Sequence, residues 1–340
     1  MNLFYVSCHS ILEYDELKLF HGMGIDVFSH GAYVDPVDDM IDPKRPKLPE
    51  LPFHADLFPL AKATPKEALA PALFEWADVT VFMGMAGWIQ SNWAALRASG
   101  VGTGRKRCIW RSIGQSTPPT ERALVGLRRE GLELVRYSPE ERVIPDYAGE
   151  DALIRFYKDP DEFGGWTGEI PRVISVGQMA KHRDHFCGLG WYEKATQGLN
   201  RMMIGPHNDD IDTMPTALLE YDALKDALRQ NRAFFYTGTW PAPYTLGFIE
   251  AWIVGIPVVA IGHGLRDHYV HDGYYEIPYL IQDGLTGYFS DDIATLHRRT
   301  RDLLNDYGLA QRIGQAGREA AIGEFGKEVC GKAWGELLGA

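Results

Sequence analysis

Cysteine is scarce in this chain, and long apolar runs are missing. Cys8, Cys108, Cys187 and Cys330 stand far apart with no pair at CxxC spacing, which predicts neither a zinc site nor a disulfide framework. The longest apolar run, residues 251–261, is interrupted by Pro257 and falls well short of the roughly 20 residues that span a bilayer. The opening MNLFYVSCHS has no basic region ahead of a long apolar stretch, so it does not read as a secretory leader. The expected location is cytoplasmic, with peripheral membrane contact left open. Positive charge is in deficit as well. The formal net charge of −12 runs against the basic footprint of a protein that coats nucleic acid. Residues 101–136 are the local exception, with eight Lys/Arg against three Glu. Such a run is ordinarily a solvated face; its functional reading is a patch for an anionic acceptor or a membrane surface.

What is present is a long alternation of short apolar strands and amphipathic helices, the pattern of parallel βαβ units. At 340 residues the chain has material for two cores. Strands are expected at residues 3–7, 26–29, 78–83, 107–112 and 133–137, then at 173–176, 201–204, 233–236 and 257–260. Thr64-Pro65-Lys66-Glu67 and Ser138-Pro139-Glu140-Glu141 both combine an N-cap, a first-turn proline and a capping-box glutamate. Prolines at 36, 43, 46, 49, 52 and 59 make residues 32–60 a long loop, expected near an acceptor site. Residues 158–169, polar and rich in Asp and Gly, read as a linker. Residues 324–338 read as a helix with Phe325, Val329, Trp334 and Leu337 along one stripe.

The most informative segment is FFYTGTWPAPYTLGFIEAWIVGIPVVAIGHG, residues 234–264. It reads as strand, loop, helix over 244–254, glycine stop at Gly255 and a second buried strand. Ala242-Pro243-Tyr244-Thr245, Glu250-Ala251, Gly255 and Pro257-Val258-Val259-Ala260 follow in order, and Glu276 precedes Asp283-Gly284-Leu285-Thr286-Gly287. This series resembles the E-P-F-G-x-x-x-x-E-A-x-x-x-G-x-P-V-V-A and E-x-x-x-D-G-x-T-G motifs of group 1, GT-B-fold glycosyltransferases. Upstream, RVISVGQMAKHRDHF, residues 172–186, resembles the same family's strand followed by G-R-x-x-x-x-K-G. Gly177 fits, Gln178 stands where Arg is usual, and Arg183 stands where Lys is usual, with Lys181 as a second cation. The resemblance covers residues 172–287 in motif detail and most of the chain in outline.

The resemblance implies an α/β protein of GT-B type, with two Rossmann-like domains facing a central cleft and a C-terminal helix crossing back to the first. The expected division is residues 1–165 for the acceptor, joined by helix 324–338, and 171–322 for the donor. It implies transfer of a sugar from a nucleotide-diphosphate sugar, UDP-linked by family, to an acceptor glycan, lipid or small molecule, with no cofactor and no metal. Diphosphate binding falls to Gly177, Gln178, Lys181, Arg183, Thr245 and Leu246, ribose binding to Glu250, and the donor-sugar vicinity to Ala242, Pro243 and Tyr244. A departing diphosphate gathers negative charge, and cations with helix N-terminal amides answer that charge; a carboxylate accepts from ribose hydroxyls.

Two departures matter. Ala242 replaces the family glutamate that contacts the donor sugar, so the stereochemical outcome does not carry over. Ile113 stands where the family commonly has a histidine. A catalytic base is therefore sought at His9, Glu13 and Asp15, after the first strand, where α/β folds place ligands; a helix first turn would explain acidic residues there equally well. Gly100-Val101-Gly102-Thr103-Gly104 lacks the GK[ST] of a phosphate loop and precedes a strand. His263, His268 and His271 with Asp267 and Asp272 match no helix-borne metal set and read as a loop over the diphosphate. His207-Asn208-Asp209-Asp210 reads either as a border of the nucleotide base or as a plain loop. Other readings stay open: transfer to modified bases of viral DNA, with the stretch bounded by Arg105 and Arg136 as the nucleic-acid contact, sugar-nucleotide epimerisation, and a non-catalytic nucleotide-sugar binding module.

Overall fold

The structure, a computed structural model, describes residues 1–35, 40–42, 44, 46, 48, 54, 56–62, 71–104, 106–114, 116–266 and 274–339. The chain divides into two compact units, Met1–Tyr157 with Lys327–Ala340, and Lys158–Gly326. The capping signal at Thr64 to Glu67, Arg105, and His268, His271, Asp267 and Asp272 lie outside the described residues, as do Pro36, Pro43, Pro49 and Pro52.

Unit 1 opens with β1 (Asn2–Ser7), α1 (Ser10–Gly22) and β2 (Asp26–His30), followed by a small antiparallel pair, β3 (Val34–Asp35) and β4 (Met40–Ile41). Then come α2 (Phe58–Lys62), α3 (Pro71–Trp76), β5 (Val79–Met83), α4 (Ala86–Ala98), β6 (Arg107–Arg111), α5 (Pro118–Arg129), β7 (Leu132–Arg136) and β8 (Ala152–Leu153). The six-stranded sheet runs β2-β1-β5-β6-β7-β8 and every pairing in it is parallel. All five residues of β5, VTVFM, are buried, as expected of a strand covered on both faces. The capping box at Ser138 forms as expected, on a single 3₁₀ turn, Pro139–Val143.

Unit 2 repeats the plan. Its elements are β9 (Ile170–Val176), α6 (Asp184–Cys187), α7 (Leu189–Ala195), β10 (Arg201–Ile204), β11 (Thr216–Ala217), α8 (Tyr221–Gln230) and β12 (Asn231–Tyr236). They continue with α9 (Leu246–Val254), β13 (Val258–Ile261), α10 (His263–Arg266), α11 (Ile277–Leu280), β14 (Tyr288–Ser290), α12 (Ile293–Asn305) and α13 (Tyr307–Phe325). The sheet order is β11-β10-β9-β12-β13-β14, again parallel throughout. Residues 158–169 are more firmly held than a linker: Lys158 and Phe163 are buried. Arg318 on α13 donates to the carbonyls of Phe163 at 2.8 Å, Pro160 at 2.7 Å and Ile253, joining this segment to the end of α9.

The last helix, α14 (Lys327–Leu338), belongs to unit 1. Trp334 packs edge-on against Phe20 at 5.0 Å and under the Arg111 guanidinium at 5.5 Å. The sequence stripe is out of phase here. Gly326 ends α13 and restarts the helix, so the buried positions are Cys330, Trp334 and Leu338, whereas Val329 is 44% exposed.

Candidate functional site

In open parallel sheets, ligands bind beyond the carboxyl ends of the strands where strand order reverses. In unit 2 that point lies between β9 and β12, because β10 and β11 run outward on one side and β13 and β14 on the other. The loop after β9 begins at Gly177. Its N–H donates to Ile204 O at 2.9 Å, and Gly205 approaches so closely that a Cβ there would sit 2.1 Å from Gly177 O, at a φ of +137°. Asn208, 2% exposed, locks the two loops together. Its Nδ2 donates to Gly177 O at 2.7 Å and Gly205 O at 3.1 Å, and its Oδ1 accepts from Ala180 N at 2.8 Å. In the 207–210 segment, then, Asn208 is a buried clamp and His207 and Asp209 are exposed.

Gln178 is exposed. Lys181 donates to Asp210 O at 2.5 Å and lines a cavity of 290 Å³ with Asp184, Leu189, Glu193 and Asp212. Arg183 differs from it. Its guanidinium lies 5.8 Å from the Phe186 ring and makes no ion pair or hydrogen bond among the described residues. The Phe186 ring in turn sits 5.3 Å from Trp240, whose N–H donates to Phe186 O at 2.8 Å. Thr237 Oγ1 also donates to Cys187 O. The loops after β9 and β12 are therefore stitched to each other.

The helix expected over 244–254 begins two residues later. Thr245 is extended and its N–H donates to Tyr236 Oη at 3.0 Å, so this amide is spent and does not supply a ligand donor. The amides of Leu246 and Gly247 have no acceptor among the described residues, the usual state of a helix N-terminus. A Cβ on Gly247 would lie 4.0 Å from Val176 Cβ, so α9 opens directly beside the end of β9. Ala242 is half-buried, Pro243 O accepts from Glu276 N at 3.0 Å, and Tyr244 turns inward, 1% exposed, with its ring 5.4 Å from Phe325. One turn into α9, Glu250 is 7% exposed and its Oε1 accepts from Lys158 Nζ at 2.9 Å. The other carboxylate oxygen has no partner among the described residues. Lys158 has no counterpart among the sequence expectations, which place it in a linker.

In unit 1 strand order reverses between β1 and β5. His9 follows β1 there, half-buried, and its Nδ1 accepts from Leu12 N at 3.4 Å as the N-cap of α1. Glu13 is fully buried and holds the next loop: it accepts from Ser29 Oγ at 2.8 Å, Tyr33 N at 2.8 Å and Val34 N at 3.0 Å. Burial pushes its carboxyl up to about 7, opposed by those donors. Asp15 is 2% exposed within α1. Neither carboxylate is open to a substrate hydroxyl as it stands, because α1 turns them into the core.

The basic stretch is largely neutralised. Arg107 pairs with Glu133 at 2.5 Å, Arg122 with Asp146 at 2.5 Å and Arg128 with Asp151 at 2.8 Å. Arg111 and Arg136 are fully buried on Glu16 and Glu121, each at 2.7 Å, and Lys106 donates to the carbonyls of Phe74 and Glu75. Among the described residues of the stretch, the exposed Arg129 has no ion pair, and Arg122 stays 59% exposed beside its partner. Among the described residues, no group of three His, Cys, Asp or Glu is arranged to hold a metal ion, and no helix is long and apolar enough to cross a membrane.

No protein-family model matches the chain, and no curated protein is similar to it in sequence. Solved structures are similar. Anabaena HepE in complex with UDP-glucose is 12% identical, with 100% of this chain and 99% of that one covered at a TM-score of 0.68. A glycosyltransferase from Rickettsia africae is also 12% identical, covering 99% and 97% at a TM-score of 0.68. S. aureus TarM is 14% identical, covering 81% of this chain and 58% of its own at 0.57. With its two parallel six-stranded sheets and a last helix returned to the first unit, the chain has the GT-B fold of group 1 glycosyltransferases.

Proposed function

We propose that this protein is a glycosyltransferase that takes a sugar from a nucleoside-diphosphate sugar, with the donor held at the strand ends of unit 2. One observation carries the reading. The unpaired Arg183 guanidinium, the open amides of Leu246 and Gly247, and the half-used carboxylate of Glu250 belong to loops stitched around a single switch point. A diphosphate needs the first two and a ribose the third. HepE, which shares the fold, is a complex with UDP-glucose, and this supports a UDP-linked donor.

In the proposed reaction an acceptor hydroxyl oxygen bonds to the sugar C1 as the C1–O bond to the diphosphate breaks. The electron pair leaves with the diphosphate oxygen, where Arg183 and the α9 amides oppose the developing charge. Lys181, half exposed at 51% and reaching Asp210, is a second cation at the rim. No metal or cofactor enters this scheme. The acceptor's proton is assigned to His9, the least buried of the three base candidates and the one at unit 1's switch point. Its Nδ1 must leave the Leu12 amide to take that proton. The ion pairs of Arg107, Arg122 and Arg128 weaken the support for a DNA acceptor and favour a glycan, lipid or small molecule.

The test is thermal shift against UDP-, GDP-, ADP- and dTDP-sugars, followed by turnover with the donor that binds. A donor at 100 times its Kd adds about 2.7 kcal/mol of stability. Glu250→Ala is expected to cut turnover at least tenfold while the fold persists. If no nucleotide sugar stabilises the protein, or if Glu250→Ala turns over normally, the donor site is elsewhere.

A further inference from the structure

Lys158 is 1% exposed, carries its ammonium 5.0 Å from the Phe163 ring and places Nζ 2.9 Å from Glu250 Oε1. It is the first residue of unit 2, and its own N–H donates to Phe325 O at 2.9 Å. A lysine so deeply buried cannot itself meet a ligand in water, and burying it for packing alone is costly. Its geometry has a second consequence. With Oε1 occupied, rotation of the Glu250 carboxylate is restricted, and the remaining oxygen, which has no partner among the described residues, is held in one orientation.

We propose that Lys158 is a positioning residue for nucleotide recognition, fixing Glu250 so that its second oxygen accepts from the ribose hydroxyls of the donor; this rests on the donor-site reading above. The pairing is a preorganising device. It confers selectivity for ribose over 2′,3′-dideoxyribose, because only hydroxyls at the 2′ and 3′ positions profit from the fixed acceptor.

The experiment compares the affinity of UDP and of 2′,3′-dideoxy-UDP by calorimetry in the wild type, Lys158→Met and Lys158→Arg, with GDP and its dideoxy analogue run alongside. Wild type is expected to prefer the ribose form by about tenfold or more, the worth of hydrogen bonds to a charged acceptor. In Lys158→Met the preference collapses to under about threefold, while affinity for the dideoxy ligand stays the same; Lys158→Arg restores most of it. A merely structural lysine would weaken both ligands together, and that outcome overturns the proposal, as does an undiminished preference in Lys158→Met. A wild type that binds both ligands equally overturns the ribose role of Glu250 instead. Should the methionine variant not fold, Lys158→Gln, whose shorter neutral amide cannot pair its charge with Glu250, is expected to lower the preference in the same direction, and an undiminished preference there overturns the proposal.

Discussion

Replacing Asn208 by alanine removes three hydrogen bonds: two that join the loop after β10 to the loop after β9, at Gly177 O and Ala180 N, and one within its own loop, at Gly205 O. All three partners then lose an acceptor or donor in a place where the side chain is only 2% exposed. Each net hydrogen bond is worth about 1 kcal/mol, and a buried group left unsatisfied costs up to about 3. Water entering the vacated space recovers part of this, so the expected loss is about 3 kcal/mol. At an m-value of about 2 kcal/mol/M, the urea midpoint of unit 2 falls by about 1.5 M. Tryptophan fluorescence reports it, since Trp166, Trp191, Trp240 and Trp252 all lie in this unit. Nucleoside-diphosphate affinity should drop as well, because the Gly177 loop loses its anchor. Asn208→Asp is expected to be worse than alanine, since it sets a carboxylate oxygen against two carbonyls. Asp209→Ala, at an exposed neighbouring position, is the control and should change nothing. A midpoint shift under about 0.3 M for Asn208→Ala, with nucleotide binding intact, would refute the clamp.

Trp334→Ala empties a fully buried site between Phe20 and Arg111. It is expected to cost unit 1 about 4 kcal/mol, read as a lowered urea midpoint; a change under about 1 kcal/mol by the same scale would mean that α14 is dispensable. Glu13 gives a pH signature. Its carboxyl is raised by burial from 4.5 to about 7, so the folded state holds the proton more tightly than the unfolded one. Its contribution is complete below pH 4.5 and is lost as the pH rises through 7, by about 3 kcal/mol in total. Wild-type stability measured relative to Glu13→Gln should therefore fall between about pH 5 and pH 8 on that scale, and a flat difference would contradict the burial argument.

Regular elements were readable where periodicity had room to accumulate. The strand expected at 201–204 coincides with β10, and those at 26–29 and 107–112 differ from β2 and β6 by one residue. Strands β3, β4, β8, β11 and β14 were missed because two or three residues carry no pattern. The start of α9 was misplaced because the Tyr236 hydroxyl captures the Thr245 amide, a side-chain contact that hydrophobic periodicity does not encode. The basic stretch was misjudged because of partners outside it. Glu16, Asp146 and Asp151, which pair with Arg111, Arg122 and Arg128, all lie outside residues 101–136. Local counting therefore overstated the free charge. Lys158 was misassigned because its partner is 92 residues away, and a lone lysine beside aspartates looks like solvated chain.

The candidate donor residues of unit 2 and the candidate base residues of unit 1 differ in legibility because their chemistry differs in how much it constrains sequence. Binding a diphosphate and a ribose demands a cation, open amides and a carboxylate at set depths along βα units. Gly177, Arg183, Leu246 and Glu250, the residues proposed for this, fall in an ordered series. An acceptor hydroxyl demands only a base and a fitting surface, and many residues supply either. Unit 1 makes the search harder by committing its carboxylates to its own architecture. Glu13 gathers the Ser29–Val34 loop, Glu16 holds Arg111, and Glu121 and Glu141 enclose Arg136. Arg111 and Arg136 end β6 and β7, so the edge where an acceptor would approach is braced by buried ion pairs. Such pairs contribute little net stability over apolar packing, but removing one partner is costly. A substitution screen for catalytic acids in unit 1 will therefore return Glu16, Glu121 and Glu141 as losses of fold, and only a variant that keeps native stability while losing turnover, as His9→Gln is expected to do, identifies chemistry.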